Sequence, residues 1–352
     1  MSKPDSAADS QHIKRAESSA SLTAPAFSDV VDAAARIRGE AVVTPLLESP
    51  ALSALTGGRV LIKAEMLQRT GAFKFRGAFN RLSRLDPVAQ SQGVVAYSSG
   101  NHAQGIAAAA QILGIPALIV MPDDAPAIKL ANTRSYGAEV RLYDRYREDR
   151  EQLAKHIAAE RGATLDRTYE DPYIIAGQGT VGLEIADQAA ARDAKLDAVL
   201  VPCGGGGLIA GCAIALAARS PDTAVYAVEP EGFDDTARSL AAGRRLHIRD
   251  DVRSMCDALL VPIPGELTFA INSRHLAGGL VVSDAEAARA MALAFHHLKL
   301  VVEPGGVVAL AAALSGKYDC QGKTVAVVCS GGNVDADTFR QVLQTAGLDI
   351  EG

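Results

Sequence analysis

The chain has 352 residues, 48% of them hydrophobic and 22% charged, with a formal net charge of −6. That length and apolar content bury a large core and favour two lobes, while the acidic balance argues against a nucleic-acid partner, which needs clustered excess Lys and Arg. Five cysteines without a CxxC pair, and seven histidines without HExxH or another ligand spacing, argue against a disulfide frame or a zinc site and point to a reducing, cytoplasmic compartment.

Residues 1–24 are polar, Ser/Ala-rich and of mixed charge. They are expected to form a disordered tail, since they lack the apolar block of a signal peptide and are too acidic for a transit peptide. Next comes "GAFKFRGAF", Gly71 to Phe79, which sets Lys74 in apolar company. A helix beginning near Phe73 puts Gly77 and Ala78 on the same side as Lys74, one turn on, and small residues there leave room for a flat ring. A lysine amine in partly apolar surroundings is pushed toward its neutral, nucleophilic form, as Schiff-base chemistry requires. The alternative is a surface lysine with its stem laid on apolar neighbours.

"GVVAYSS" (93–99) predicts a strand, and a helix follows from Asn101 to Gly114. "ALIVMP" and "AEVRLYD" are further strands, and "REDREQLAKHIAAERG" is a helix. "DAVLVPC", "AVYAVEP" and "KTVAVVC" are buried-strand runs separated by helical stretches. Strands alternating with helices predict an α/β protein with mostly parallel sheets flanked by helices. The uncharged stretch Ala198–Ala218 is long enough to cross a bilayer at ~1.5 Å per residue. Pro202 and Gly204 to Gly207 break it into strand, loop and helix, so no membrane span is expected.

In open α/β sheets, ligands bind at the carboxyl ends of the strands. Three corners there are rich in small residues: "SSGNHAQG" (98–105), "PCGGGGLIAG" (202–211) and "CSGGNVD" (329–335). In the four-glycine corner, backbone N–H groups can converge on an anion, helped by the positive end of a helix starting near Leu208. No Lys-Ser or Lys-Thr follows, so it is not a P-loop. By itself the corner fits a phosphate cradle, a bare turn, or a degenerate GxGxxA nicotinamide fingerprint of Gly205, Gly207 and Ala210 with Glu229 as the ribose acid. A reactive lysine and a phosphate cradle are the two halves of a pyridoxal phosphate site, and this combination gives Lys74 a role that the nicotinamide reading does not.

"TGAFKFRGAFNRL", "SSGNHAQGIAAAA", "AGQGTVGLEI", "PCGGGGLIAG", "VEPEGFDD" and "CSGGNVD", in that order, resemble the threonine/serine dehydratase and serine racemase family, pyridoxal phosphate enzymes of fold type II. The resemblance runs from "TPLLESPALS" (44–53) onward. It implies a large cofactor-binding domain (residues 25–92 and 172–352), a small domain (93–171) and a homodimer. Lys74 is implied to hold the cofactor as a Schiff base and act as base on one face, with Phe73 near the ring and Asn101 bonded to its 3′-oxygen. Gly204, Gly205, Gly206, Gly207 and Leu208 would bind the phosphate, and Ser330 would meet the pyridine nitrogen. Ser98, Asn101 and His102 would hold the substrate carboxylate with Arg150, and Ser99 stands where racemases keep their second base.

A serine at the ring nitrogen leaves a weaker electron sink than a carboxylate would, which favours elimination over racemisation. The expected activity is therefore an ammonia-lyase converting L-threonine or L-serine to a 2-keto acid and ammonia. Alternatives are a serine or aspartate racemase, a 3-hydroxyaspartate or phenylserine dehydratase, a β-replacement synthase, a nicotinamide-binding protein or a non-catalytic amino-acid sensor. Ala72, Ala258 and "EPGGVVAL" depart from the usual pattern and imply altered pocket walls. No regulatory region of the ACT type follows "CSGGNVD", so a single catalytic module is expected. Glu229 ends a predicted strand, and Asp235 follows across "PEGFD", a span rich in turn residues that can fold both carboxylates toward one point. Hard cations such as Mg²⁺ or Ca²⁺ take such ligands, and the resemblance implies a site completed by the carbonyl of Phe233.

Overall fold

The computed structural model describes residues 23–346 apart from 99, 126, 146 and 250. The expected tail therefore lies almost wholly outside the described residues. The strands are β1 (Leu46–Glu48), β2 (Arg59–Ala64), β3 (Val94–Tyr97), β4 (Ala117–Pro122), β5 (Glu139–Tyr143), β6 (Thr164–Leu165), β7 (Ala198–Pro202), β8 (Ala224–Pro230), β9 (Gly278–Val282) and β10 (Thr324–Cys329). They form a six-stranded sheet, ordered β1-β2-β10-β7-β8-β9, and a four-stranded sheet, ordered β5-β4-β3-β6. All pairings are parallel except the edge pair β1–β2.

Near-continuous apolar runs such as "VLI" and "VAVV" suit strands covered on both faces, and successive side chains point to opposite sides. Ile62, Leu200 and Val327 thus pack with the helices Asp284–Leu298 and Pro304–Leu314. Their neighbours Leu61, Val199 and Ala326 face the helices Pro172–Ala190 and Gly207–Arg219 through Ile185 and Ile209. The smaller sheet is covered on one side by the helix Asn101–Leu113, joined by Phe75, Phe79 and Leu82 of the helix Lys74–Leu82. On its other side Val95 and Leu118 pack on Ala154 and Ala158 of the helix Arg150–Arg161.

Two expectations change in detail. The helix expected across "REDREQLAKHIAAERG" begins only at Arg150, because the Asp149 side chain accepts the N–H groups of Glu151 and Gln152 and so caps it. Gly77 and Ala78 do not border the site. A Cβ on Gly77 would stand 2.4 Å from Gln178 Nε2, and one on Gly177 would stand 2.6 Å from Gly77 Cα. The small residues serve a close helix crossing rather than a ring pocket. The stretch Ala198–Ala218 is divided as expected into β7, a glycine turn and a helix, and no helix among the described residues is long and apolar enough to cross a membrane.

Beneath the small residues of this crossing lies a buried ionic network. Arg76 donates to Glu65 at 2.8 Å and to Glu184 at 2.6 Å. Lys63 donates to Glu184 and to the Thr44 carbonyl, each at 2.6 Å, and to Gln188 at 3.1 Å.

Candidate active site

The carboxyl ends of β3, β7 and β10 open on one cavity of about 660 Å³. Phe73, Lys74, Ser98, Asn101, His102, Arg150, Gly204 to Gly207, Leu208 and Ser330 all line it. The three glycine corners and the lysine, far apart in the chain, are thus brought together. Ser99 lies outside the described residues.

Lys74 opens its helix, with its Nζ 5.0 Å from the centre of the Phe73 ring. Burial pulls its ammonium down to about 8, against the opposing attraction of Asp166 and Glu303. The amine therefore turns to its nucleophilic form as pH rises through about 8. The helix Asn101–Leu113 passes close by: a Cβ on Gly105 would come within 3.1 Å of the Lys74 backbone.

The four-glycine corner is built for close approach. A Cβ on Gly205 would stand 2.4 Å from the Tyr169 ring, one on Gly207 would stand 3.0 Å from Tyr169 Cβ, and Gly206 has φ +86°. Only glycine satisfies these constraints without strain. The turn is held by Thr268, whose hydroxyl donates to the Gly205 carbonyl at 2.7 Å, and it delivers the N-terminus of the helix Gly207–Arg219 to the cavity. Such a terminus with free N–H groups suits a phosphate.

Asn101, first in its helix, is clamped from two sides. Its amide donates to Glu303 at 2.5 Å and accepts from Asn333 at 2.8 Å. Glu303 is fully buried, and burial, reinforced by Asp257, pushes its carboxyl up to about 7. Ser330 is tied to the lysine segment, since its carbonyl accepts the Phe73 N–H at 3.1 Å. Ser98 Oγ accepts the Gly100 N–H at 3.3 Å. Arg150 lies over the Tyr97 ring at 5.9 Å.

His102, expected from its motif, brings in partners that carry no sequence signal of their own. His102 is buried and meets buried Asp166 through Nε2, leaving Nδ1 without a protein partner. Although buried, Asp166 stays below the usual carboxylate range because His102 and the Thr168 N–H stabilise its charge. Lys129, buried in the cavity wall, pairs with Asp257. Tyr169 belongs with them. Asp166 and Tyr169 sit in "LDRTYE", a polar connection without periodicity or motif, so only tertiary proximity reveals them.

Glu229 and Asp235 stand apart from this cavity, which removes Glu229 from the ribose role of the nicotinamide reading. Glu229 ends β8 and accepts the N–H groups of Thr236 at 2.9 Å and Ala237 at 2.7 Å. Asp235 begins the next helix, Phe233 is buried just before it, and Asp235 Oδ2 has no hydrogen-bond partner among the described residues. Burial and the neighbouring Asp235 push Glu229 up to about 8, and burial and Asp234 push Asp235 up to about 7. The pair offers one orphaned oxygen, on Asp235, while both Glu229 oxygens already accept backbone N–H groups. Among the described residues no group of three His, Cys, Asp or Glu side chains could hold a metal ion, so a cation here would depend on carbonyl and water ligands.

The sequence pattern of the pyridoxal-phosphate dependent enzymes matches residues 37–331. Over 318 residues the chain is 46% identical to the L-threo-3-hydroxyaspartate ammonia-lyase of Pseudomonas sp, covering 90% of this chain and 98% of that protein. It is 41% identical over 322 residues to the serine racemase of Schizosaccharomyces pombe, covering 92% and 98%. The solved structure of maize serine racemase superposes with a TM-score of 0.86 at 38% identity, covering 92% of this chain and 98% of that one. The chain belongs to the pyridoxal-phosphate dependent enzymes, with the two-sheet architecture of their fold type II.

Proposed function

We propose that this protein is an ammonia-lyase that converts an L-β-hydroxy amino acid, such as threonine, serine or 3-hydroxyaspartate, to a 2-keto acid and ammonia. The observation that carries this reading is Lys74, a half-buried amine at about 8, facing a glycine corner that offers helix N–H groups. Bound pyridoxal phosphate supplies an electron-withdrawing ring that acidifies the substrate Cα–H. Gly204 to Leu208 would hold its phosphate, Phe73 would flank its ring, and Asn101, oriented by Glu303 and Asn333, would bind its 3′-oxygen. Ser330 would meet the ring nitrogen. Being an alcohol, it does not stabilise a long-lived carbanion there, which favours prompt loss of the β-substituent.

Ser98, Asn101, His102 and Arg150 hold the substrate carboxylate, so that the Cα–H points at Lys74. Lys74 Nζ would take the Cα proton, a proton returned to the β-hydroxyl would let it leave as water, and water would hydrolyse the released enamine to keto acid and ammonia. Ser99 gives the opposite face a second base and with it a minor racemase activity. The same reading includes a small domain of residues 93–171 closing on the remainder, a homodimer, a cytoplasmic location, and Mg²⁺ or Ca²⁺ on Glu229, Asp235 and the Phe233 carbonyl. Such a cation would brace the corner beyond β8 without touching the reaction.

The test is a spectrum of the purified holoprotein with a keto-acid assay on L-serine, L-threonine and L-threo-3-hydroxyaspartate. Visible absorption that changes on substrate addition, with keto acid formed, is expected. A protein that binds the cofactor yet releases no keto acid from any of the three would overturn the lyase reading.

A further inference from the structure

The loop leaving β6 carries a cation that the proposed reaction leaves idle. The Arg167 side chain is exposed, lines the cavity, and among the described residues makes no hydrogen bond or ion pair, while the Arg167 carbonyl accepts the Glu170 N–H at 3.0 Å. Other cations of the same wall are engaged. Lys129 pairs with Asp257, Lys155 with Glu151 at 2.8 Å, and Arg150 stacks on Tyr97. The lining carboxylates are engaged too, since Glu170 accepts the N–H groups of Glu266 and Leu267 at 3.1 and 3.2 Å.

An exposed arginine on a loose loop would mean little, but this loop is fastened at both ends. Asp166 donates its N–H to the Val95 carbonyl at 2.9 Å, accepts the Thr168 N–H at 3.0 Å and meets His102. Three residues beyond Arg167, Glu170 is pinned on the helix Glu266–His275 of the larger sheet, and between them Thr168 holds φ +55°. Backbone held this way keeps Arg167 at the cavity, so that the side chain alone is left to order on binding. A guanidinium pairs best with a planar carboxylate, through two parallel N–H···O bonds. The methyl of threonine and the hydrogen of serine offer it nothing.

We propose that Arg167 receives the second carboxylate of a β-hydroxy amino diacid, and so sets a preference for 3-hydroxyaspartate over threonine and serine. Asp166 is a positioning residue in this scheme, holding the loop to His102. The inference rests on the ammonia-lyase reading of the site, but its binding test does not depend on turnover.

The experiment compares the parent holoenzyme with Arg167→Met and Arg167→Lys. The kcat/KM ratio for L-threo-3-hydroxyaspartate over L-threonine should fall on the order of a hundredfold in the Met variant, as sites built around a polar partner do when it is lost, and recover in part with Lys. In parallel, calorimetry measures L-aspartate and L-2-aminobutyrate, which lack the leaving hydroxyl. The parent should bind aspartate more tightly, and Arg167→Met should lose that preference. Unchanged ratios in both measurements would overturn the assignment of Arg167. Absence of keto acid from the parent would overturn the lyase reading instead, and the aspartate preference would still decide the role of Arg167.

Discussion

Two lysines stand eleven positions apart in the chain, the buried Lys63 and the half-buried Lys74, and their surroundings could hardly differ more. Lys63 has its ammonium enclosed by Glu184, Gln188 and the Thr44 carbonyl within a network that also neutralises Arg76 with Glu65. Lys74 has no hydrogen-bond acceptor among the described residues and faces a ring and a cavity. Burial lowers both lysines, so burial alone does not mark a reactive group. What separates them is whether the protein supplies partners for the charge. Where it does, the lysine cements packing; where it does not, the lysine is available for covalent chemistry.

Removing Lys74 tests that contrast most severely. Lys74→Ala should lower turnover by about 10⁴-fold or more, as loss of a covalent catalyst does, and should abolish covalent attachment of the cofactor while the protein stays folded. Detectable borohydride-stable cofactor on that variant would contradict the assignment.

The converse substitution concerns the paired site. Glu65→Gln or Arg76→Met leaves a charge buried without its partner and should cost about 3–5 kcal/mol of stability, measured by urea unfolding. A loss under 1 kcal/mol would mean that water reaches the network and that the contrast with Lys74 is overdrawn.

A smaller effect distinguishes the two lysines by pH. The Lys74 ammonium sits at about 8 in the fold and ordinarily at 10.5, so the folded protein binds fewer protons than the unfolded chain between these values. Stability linked to Lys74 is then present above 10.5 and is lost as pH falls through about 8. In cofactor-free protein, Lys74→Met should therefore raise the melting temperature at pH 7, with the gain shrinking as pH rises past 8. The size is on the order of 1 kcal/mol, because the side chain is only half-buried and solvent screens it. A gain independent of pH would assign the effect to packing.

The weakest perturbation is at the acid pair. Chelation should lower the melting temperature by a few degrees, with Mg²⁺ or Ca²⁺ restoring it by mass action, and Asp235→Ala should remove the response. Melting curves unmoved by chelator would leave Glu229 and Asp235 as a buried carboxylate pair without a cation.

The alternation of strand runs and helices, the breaks in Ala198–Ala218 and the glycine corners were all legible in the chain, because hydrophobic periodicity and glycine act locally. The candidate site was legible as far as its motifs reached. Lys74, Asn101, Gly204 to Gly207 and Ser330 each lie in a distinctive string of residues, and the structure gathers them on one cavity. Gly77 was misread, because a small residue looks the same in sequence whether it makes room for a ligand or for a neighbouring helix.

The sequence by itself determined the class of fold and singled out Lys74 and the four-glycine corner as candidates, since these follow from local patterns that neighbours along the chain enforce. Only the tertiary structure decided which charges are balanced. It set Asp166 against His102, Glu303 against Asn101 and Lys129 against Asp257, and left Arg167 facing the cavity alone among the described residues. These partners are between 64 and 202 positions apart or belong to a polar loop without periodicity. The energy of a charge depends on what folding places within a few ångströms of it, which spacing along the chain does not encode.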